Sequence, residues 1–370
     1  MIESLRLQNF KGHRDTTIEF GRLTVLVGPN GSGKTSVLQA LELLGQVVRN
    51  KIVDVFSGPS TPELLVSREQ EGTMGIHAHG SMHGKPWKLA VDITSATKSP
   101  HILLIADTGR KRGRATNPQF SFAGFGGDPL WPWLQSTTTF RIDAGQVAAP
   151  GYSRDGVSRV DKNGKNTAAA LAALKLSDDP AFEEIERRLC TLVPSLKRIR
   201  FRQAVTITEY ETRTSPNQRV IDEQQVTGNE FVFDFRGAQG VPAVGASEGT
   251  LVLLGLLTAL HTNAKSGLLL IDDIEHSLHP TAQVQLMQQL RGLLTQMPDL
   301  QIVATTHSPY ILDGVDPSDV RVFYPRDDGT IVTKRLSDHP DAQRVKGMLS
   351  SGELWSAESE AWVLGEDAAQ

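Results

Sequence analysis

Apolar and polar side chains alternate from Ile2 to Asn9 as they do in a half-buried or edge strand, and Thr16 to Phe20 repeats the pattern, with Phe10-Lys11-Gly12-His13 as a hairpin turn between them. Leu23-Thr24-Val25-Leu26-Val27 is apolar and β-branched without alternation, which predicts a buried strand. Ser36 to Val48 then carries apolar residues at helical spacing, and the helix is expected to end near Arg49. The pattern is irregular from there to Gly72, with Ser57-Gly58-Pro59-Ser60 as a breaker. Three strand-like segments follow, 74–79, 87–93 and 102–106, separated by Gly84 and by Ser99-Pro100, and they read as an antiparallel meander. Beyond it a strand is expected at 139–143, a Gly/Pro/Ser-rich passage up to Gly164, and helices at 167–176 and 179–193, the second capped by Asp178 or Asp179 with Pro180 in its first turn. Residues 204–235 return to strand-like alternation. In the last third an apolar helix spans Leu251 to His261, a strand covers Leu268 to Ile271, a helix 281–296 and a strand Gln301 to Thr305. Trp355 and Trp362, seven residues apart among acids, predict a short amphipathic helix docked on the second lobe, with a partner-binding surface as the alternative.

Composition narrows the class. Over 370 residues, 39% hydrophobic and 22% charged content suits a globular chain with one large core or two lobes. The longest apolar run, around Leu251 to Leu260, is too short to span a bilayer, and Met-Ile-Glu-Ser leads directly into a strand, so a cytoplasmic protein with no membrane partner is expected. Cys190 is the only cysteine, which excludes an intrachain disulfide and a cysteine-based metal site. His77, His79 and His83 have no further ligands at zinc-type spacing around them. A net charge of −4 argues against bulk nucleic-acid binding, but two basic clusters leave a local groove open. One is Arg110-Lys111-Arg112-Gly113-Arg114, in a Gly-containing turn. The other is Lys197 to Arg202, whose basic groups at 198, 200 and 202 share one strand face. A solvated face is the ordinary reading of such runs and a phosphate-backbone contact the sharper one; both stay open.

The candidate chemistry starts at Gly28-Pro29-Asn30-Gly31-Ser32-Gly33-Lys34-Thr35, which fits G-x-x-x-x-G-K-[ST] without a gap and sits between a strand and a helix. Glycines let backbone N–H groups curl round a β-phosphate, and the helix N-terminus adds its positive end. Lys34 would reach the β/γ oxygens and the Thr35 hydroxyl would bind Mg²⁺. Such a loop requires a parallel sheet, distinct from the meander. Leu268-Leu269-Leu270-Ile271-Asp272-Asp273 is a buried strand ending in two acids, and strand carboxyl ends are where parallel sheets bind ligands. Asp272 would hold Mg²⁺, directly or through water, while Asp273 would orient or deprotonate the attacking water. The strand at 301–305 ends in Thr306-His307-Ser308-Pro309, where a histidine can reach a γ-phosphate. Ala246 to Thr250 is a polar, Gly-containing helix start that carries only a modest signal alone.

Together these blocks resemble the ABC-type ATPases of the SMC/RecF kind, and most closely the stand-alone AAA ATPases similar to overcoming-lysogenization-defect (OLD) proteins. The likeness rests on Ile2 to Phe10 with Lys11, on 28–35, on Ser247-Glu248-Gly249-Thr250 as signature, and on Asp272 to Pro280 with 305–309. It implies an α/β P-loop NTPase: a two-lobe core with a mixed central sheet flanked by helices, an antiparallel β subdomain and an α+β insertion. Lobe I would span 1–110, the insertion 111–240 and lobe II 241–370. It also implies ATP and Mg²⁺ as cofactors, with Asn30, Gly31, Ser32, Gly33, Lys34, Thr35, Ser36 and Lys11 binding ATP and Thr35 and Asp272 the metal. Lys34, Asp273 and His307 would serve catalysis. By the same resemblance two protomers face head to tail on binding ATP, and Ser247, Glu248 and Gly249 of one approach the γ-phosphate held by the other. Two departures stand out. The acid after the metal ligand is usually Glu, and Asp273 is one methylene shorter, as in RecF-like proteins, which implies slow hydrolysis. The lobe-joining glutamine has only Gln146 as a candidate.

No heptad array long enough for a coiled coil interrupts the chain, which separates it from full SMC or Rad50-like proteins, and no nuclease domain is expected after Tyr310. Three functions follow: an ATPase that dimerises to control a separate effector, such as a nuclease or toxin in defence against phage; a RecF-like DNA-binding repair ATPase; or a transporter's nucleotide-binding subunit. The last is disfavoured by the missing Leu-Ser-Gly-Gly-Gln signature.

Overall fold

The computed structural model describes residues 1–56, 61–67, 73–94, 101–108, 112–115, 128–152, 159–215, 218–263, 267–357 and 360–365. Ile2–Phe10 (β1) and His13–Glu19 (β2) form an antiparallel hairpin, followed by Leu23–Val27 (β3), all five residues of which are buried. Thr73–Met82 (β4), Lys85–Thr94 (β5), His101–Asp107 (β6) and Arg112–Ala115 (β7) make the expected meander. The β4–β5 turn is His83-Gly84 with both φ values positive, the conformation a two-residue hairpin loop requires. Thr138–Phe140 (β8) comes next, then the long Leu196–Ser215 (β9) and Gln218–Phe235 (β10), and the short Ala238–Pro242 (β11). Leu268–Ile271 (β12), Gln301–Thr305 (β13), Val320–Pro325 (β14) and Ile331–Arg335 (β15) complete the strands.

The chain divides into two compact units, residues 1–139, 266–275 and 290–370, and residues 140–265 and 276–289. The 1–110 segment thus falls in the first unit, 140–240 in the second, and 241–370 contributes to both. The first unit holds the antiparallel sheet β2-β1-β4-β5-β6-β7 and the mixed sheet β15-β14-β3-β13-β12-β8. Along β5, Trp87, Leu89, Val91 and Ile93 are buried while the residues between them are not, the period-2 signature that one-sided burial imposes. The helix Lys34–Arg49 turns Val37, Leu38, Leu41, Leu44 and Val48 into the same cluster as Leu5, Leu7, Ile76, Leu89, Leu268 and Phe323, so one core joins both sheets. Gln301 ties them further: buried on β13, it donates to the carbonyls of Ile2 (2.7 Å) and Gly21 (2.8 Å) and accepts the Ile2 N–H (2.9 Å). A buried amide that satisfies three backbone groups costs nothing in unpaired polarity and fixes where the first strand starts.

The second unit is built on the helix Glu248–Asn263, apolar on every face and correspondingly buried from Thr250 to Leu260. It packs against the helices Ala144–Ala148, Thr167–Ser177 and Asp179–Leu192. Phe182, Phe201, Phe231 and Phe233 form a run of tilted and stacked rings 5.7–5.9 Å apart. Arg188 is 3% exposed and is satisfied by Glu184 at 2.6 Å and Gln289 at 3.1 Å.

Some boundaries differ from the sequence reading. The strand expected at 139–143 stops at Phe140, because Asp143 is recruited as the cap of the next short helix and accepts the Gln146 N–H at 2.8 Å. Asp178, rather than Asp179, caps the helix at 179–192, accepting the Ala181 N–H. Arg112, Gly113 and Arg114, expected in a turn, pair with β6 as part of a strand; Arg110, Lys111, the breaker at 57–60 and Ser99-Pro100 lie outside the described residues. The tail belongs to the first unit as a short helix, Ser351–Ala357, against the helix Pro309–Leu312, and a 3-10 turn, Glu360–Leu364, against β14 and β15. Trp362 there packs edge-on to His339 at 4.9 Å. Among the described residues no helix is long and apolar enough to cross a membrane.

Candidate functional site

β3, β13 and β12 are adjacent and parallel, so the segments that leave their carboxyl ends are brought side by side. These segments are the 28–35 loop, the Thr306-His307 loop and Asp272-Asp273, far apart in sequence and all within the first unit. Asn30, Gly31, Gly33, Lys34, Thr35, Ser36, Asp273 and His307 line one cleft of about 300 Å³, together with Gly12 and Ile331.

The loop's backbone could not be made from other residues. Gly28 has φ +143°, and a Cβ there would lie 2.2 Å from the Phe323 carbonyl of β14. Gly33, at φ +87°, starts the helix that begins at Lys34, and a Cβ on it would collide with His13 and Ile331. The Lys34 ammonium is folded into the loop, donating to the carbonyls of Gly28 (2.8 Å) and Pro29 (2.9 Å), with the buried Ser32 hydroxyl at 3.4 Å. Burial lowers its pKa, and Asp273, Asp272, Glu275 and Glu360 push it back up.

The acids are arranged by one threonine. Thr305, at the end of β13, donates its hydroxyl to Asp272 Oδ1 at 2.7 Å and accepts the Asp273 N–H at 2.9 Å. Thr35 donates to the same Asp272 oxygen at 3.2 Å. Asp272 is therefore buried behind the cleft and touches the loop, while Asp273, at φ +52°, turns its side chain to the cleft lining. Thr35 and Asp272 are hard oxygen donors in contact, a pair that fits a magnesium ion shared with a nucleotide's phosphates; when bound, the ion would supply charge neutralisation at those oxygens. Asp273 and the exposed His307 line the same space.

Lys11 is not among the residues lining that cleft. It lines a neighbouring one of about 580 Å³ with Arg14, Leu64, Val66 and Asp328, sharing Gly12 with the first, and its ammonium bonds Gln39. Ser247, Glu248 and Gly249 lie in the second unit. Ser247 stands before the helix Glu248–Asn263, its hydroxyl accepting the Thr250 N–H at 3.3 Å and sharing a hydrogen bond with the Thr250 hydroxyl at 2.7 Å. Glu248 accepts from the Ser277 hydroxyl (3.1 Å), and a Cβ on Gly249 would come 2.8 Å from the Ser277 carbonyl. Gln146 also lies in the second unit, on the helix Ala144–Ala148.

Sequence reasoning assigns no role to Gly12, Ile331 or His13, and Thr305 enters it only as the first residue of the 305–309 block. His13 reads in sequence only as part of a turn; in the fold it is wholly buried, donates Nε2–H to the Gly33 carbonyl at 3.2 Å and has no partner at Nδ1 among the described residues. Burial pushes its pKa down to about 4, against a smaller upward pull from Gly33. The unfolded chain therefore takes the proton first as pH falls below its ordinary value, and stability is lost down to about pH 4, a contribution of roughly 3 kcal/mol. His13→Gln keeps a donor for Gly33 and removes the titration. Its urea midpoint is expected to fall less between pH 7 and 4.5 than that of the parent, and an equal fall would count against this account.

Residues 23–313 match the family described as "AAA domain, putative AbiEii toxin, Type IV TA system". The chain belongs to this AAA family. The Septu protein PtuA of Bacillus mycoides (strain KBAB4) is 23% identical over 368 residues, 95% of this chain and 44% of that protein. The OLD nuclease of Thermus scotoductus is 46% identical over 48 residues, 13% of this chain and 9% of its own length. The chain thus spans less than half the length of the curated relatives it matches. Its fold is that of an SMC head: a solved SMC head bound to the C-terminal winged-helix domain of ScpA aligns with a TM-score of 0.54 at 14% identity, over 93% of this chain and 99% of that one. This AAA-family chain thus has the fold of an SMC head and shares a short stretch of sequence with the OLD nuclease.

Proposed function

We propose that the protein binds and hydrolyses Mg²⁺-ATP and uses nucleotide-dependent homodimerisation to control a separate effector, in the cytoplasm where ATP is available. The observation that carries the hydrolysis is the convergence of Lys34, Thr35, Asp272, Asp273 and His307 at the carboxyl ends of three adjacent parallel strands. Lys34 and the loop amides would hold the phosphates, Asp273 would take the proton of the attacking water, and His307 would meet the γ-phosphate. Ser247 to Gly249, at the start of a helix in the other unit, would serve the partner protomer's nucleotide. Support for an effector in a defence or toxin system comes from the family description and from the likeness to PtuA and the OLD nuclease. Sedimentation of the protein with Mg²⁺-ATP and with ADP tests the switch; a monomer under both conditions, with hydrolysis intact, would remove dimerisation from the account.

The DNA-repair reading has less support. Arg200 pairs with Asp234 at 2.6 Å and Arg202 with Glu230, and Asp234 lies opposite Arg198 in the ladder, so acids across the ribbon neutralise the basic face. Reversing Arg198, Arg200 and Arg202 to Glu is accordingly expected to change affinity for a 30-base-pair duplex by less than about threefold at moderate salt. A large loss measured by fluorescence anisotropy would restore DNA as the partner.

A further inference from the structure

The His307 imidazole makes no ring hydrogen bond among the described residues, although its ring is exposed at the cleft. A ring held by nothing at its own nitrogens is aimed only by the backbone that carries it. That backbone is gripped from the β12 side. Glu275 Oε1 accepts the His307 N–H at 2.8 Å, and Oε2 accepts the hydroxyl of Thr306, a fully buried residue, at 2.7 Å. The two preceding residues do the same one step earlier: the Ile274 N–H bonds the Thr305 carbonyl at 3.1 Å and the Asp273 N–H bonds the Thr305 hydroxyl at 2.9 Å. Residues 273–275 therefore clasp residues 305–307 rung by rung, and the last rung is made by a carboxylate.

We infer that Glu275 is a positioning residue for ATP turnover, holding the His307 loop at the distance from Asp273 that the reaction needs. The inference rests on the ATPase reading of the same site. Glu275 is not itself placed to take a proton from water in the cleft, because it is not among the residues lining it and both its oxygens are turned to the 306–307 segment. Its charge matters in a specific way. A carboxylate presents acceptors on both oxygens, whereas Gln keeps one acceptor for the His307 N–H and turns an amide NH2 toward Thr306, whose hydroxyl must then reverse from donor to acceptor, so a change of almost no volume removes both charge-assisted bonds and weakens the clasp.

The experiment is a double-mutant cycle on hydrolysis with the full chain, using Glu275→Gln, Thr306→Val, His307→Ala and the two double variants with His307→Ala. Glu275→Gln is expected to lower kcat roughly 10- to 100-fold, the range for a misplaced reacting group, with KM for ATP within about twofold. Thr306→Val, which removes only one rung, should lie between it and the parent. In the His307→Ala background neither change should slow the enzyme further, because there is no ring left to aim. Multiplicative losses in the doubles, or an effect confined to KM, would overturn the inference. If Asp273→Asn also left turnover untouched, the failure would belong to the ATPase reading instead. A second readout does not depend on turnover: with ¹³Cε1-labelled histidine, the His307 signal, assigned by its loss in His307→Ala, should be a single sharp line in the parent with Mg²⁺ and a non-hydrolysable ATP analogue. It should broaden or split in Glu275→Gln, and an unchanged line would refute the clasp.

Discussion

Lys34→Ala is expected to abolish measurable ATP turnover, with a loss of roughly 10²–10³-fold or more, the range for deleting one preorganised charged donor. Nucleotide affinity should weaken by about tenfold or more, since hydrogen bonds to charged groups contribute roughly 1.5–3 kcal/mol each. The reasoning is local. Lys34 is 6% exposed and its ammonium lies within 3 Å of two loop carbonyls, at the start of the helix whose N-terminus faces the cleft. Because burial disfavours its charged form, the same residue is a cost to the fold. The variant should therefore melt no lower than the parent, as functional groups held against their own solvation usually allow. Radiolabelled-phosphate release, titration calorimetry and thermal unfolding separate the three statements. Turnover unchanged in Lys34→Ala would overturn the assignment of the site.

Asp273→Asn is expected to lower kcat roughly 10²–10⁴-fold, as removal of a general base does, while ATP binding is kept. The substitution preserves volume and leaves the backbone N–H on the Thr305 hydroxyl, so the positive φ at 273 and the Asp272 contact with Thr35 should persist. Lost are the ability to accept a proton at the cleft wall and the negative charge that supports the Lys34 ammonium. With hydrolysis blocked, the ATP-bound dimer should accumulate and appear in size-exclusion chromatography as a species absent with ADP. Full hydrolysis in this variant would transfer the base role elsewhere, and a monomer at every concentration would weigh heavily against the switch.

Much of the site is legible in the amino-acid sequence because its parts are local. The 28–35 loop carries its own strand, glycines and helix start within a short stretch, and Leu268 to Asp273 announces a buried strand ending in acids. These segments impose their conformation through backbone sterics and burial, which act over a few residues. The relation between Asp272 and Asp273 is not legible in that way. Adjacent carboxylates take opposite situations, one buried against Thr35 and one facing the cleft, because Thr305 from another strand bonds the side chain of the first and the N–H of the second. The same holds for His13, a turn residue by its neighbours and a wedge under Gly33 by its burial.

The sequence by itself determined that a glycine-rich loop between a strand and a helix, a strand ending in acids and a strand ending in His307 exist, since periodicity and glycine placement are written along the chain. Tertiary structure alone decided that β13 would lie between β3 and β12, putting the three strand ends in register, and that Thr305 and Glu275 would be the residues binding them. The reason is that strand order depends on which apolar faces pack best across the core, a non-local balance between segments more than two hundred residues apart that no stretch read alone contains.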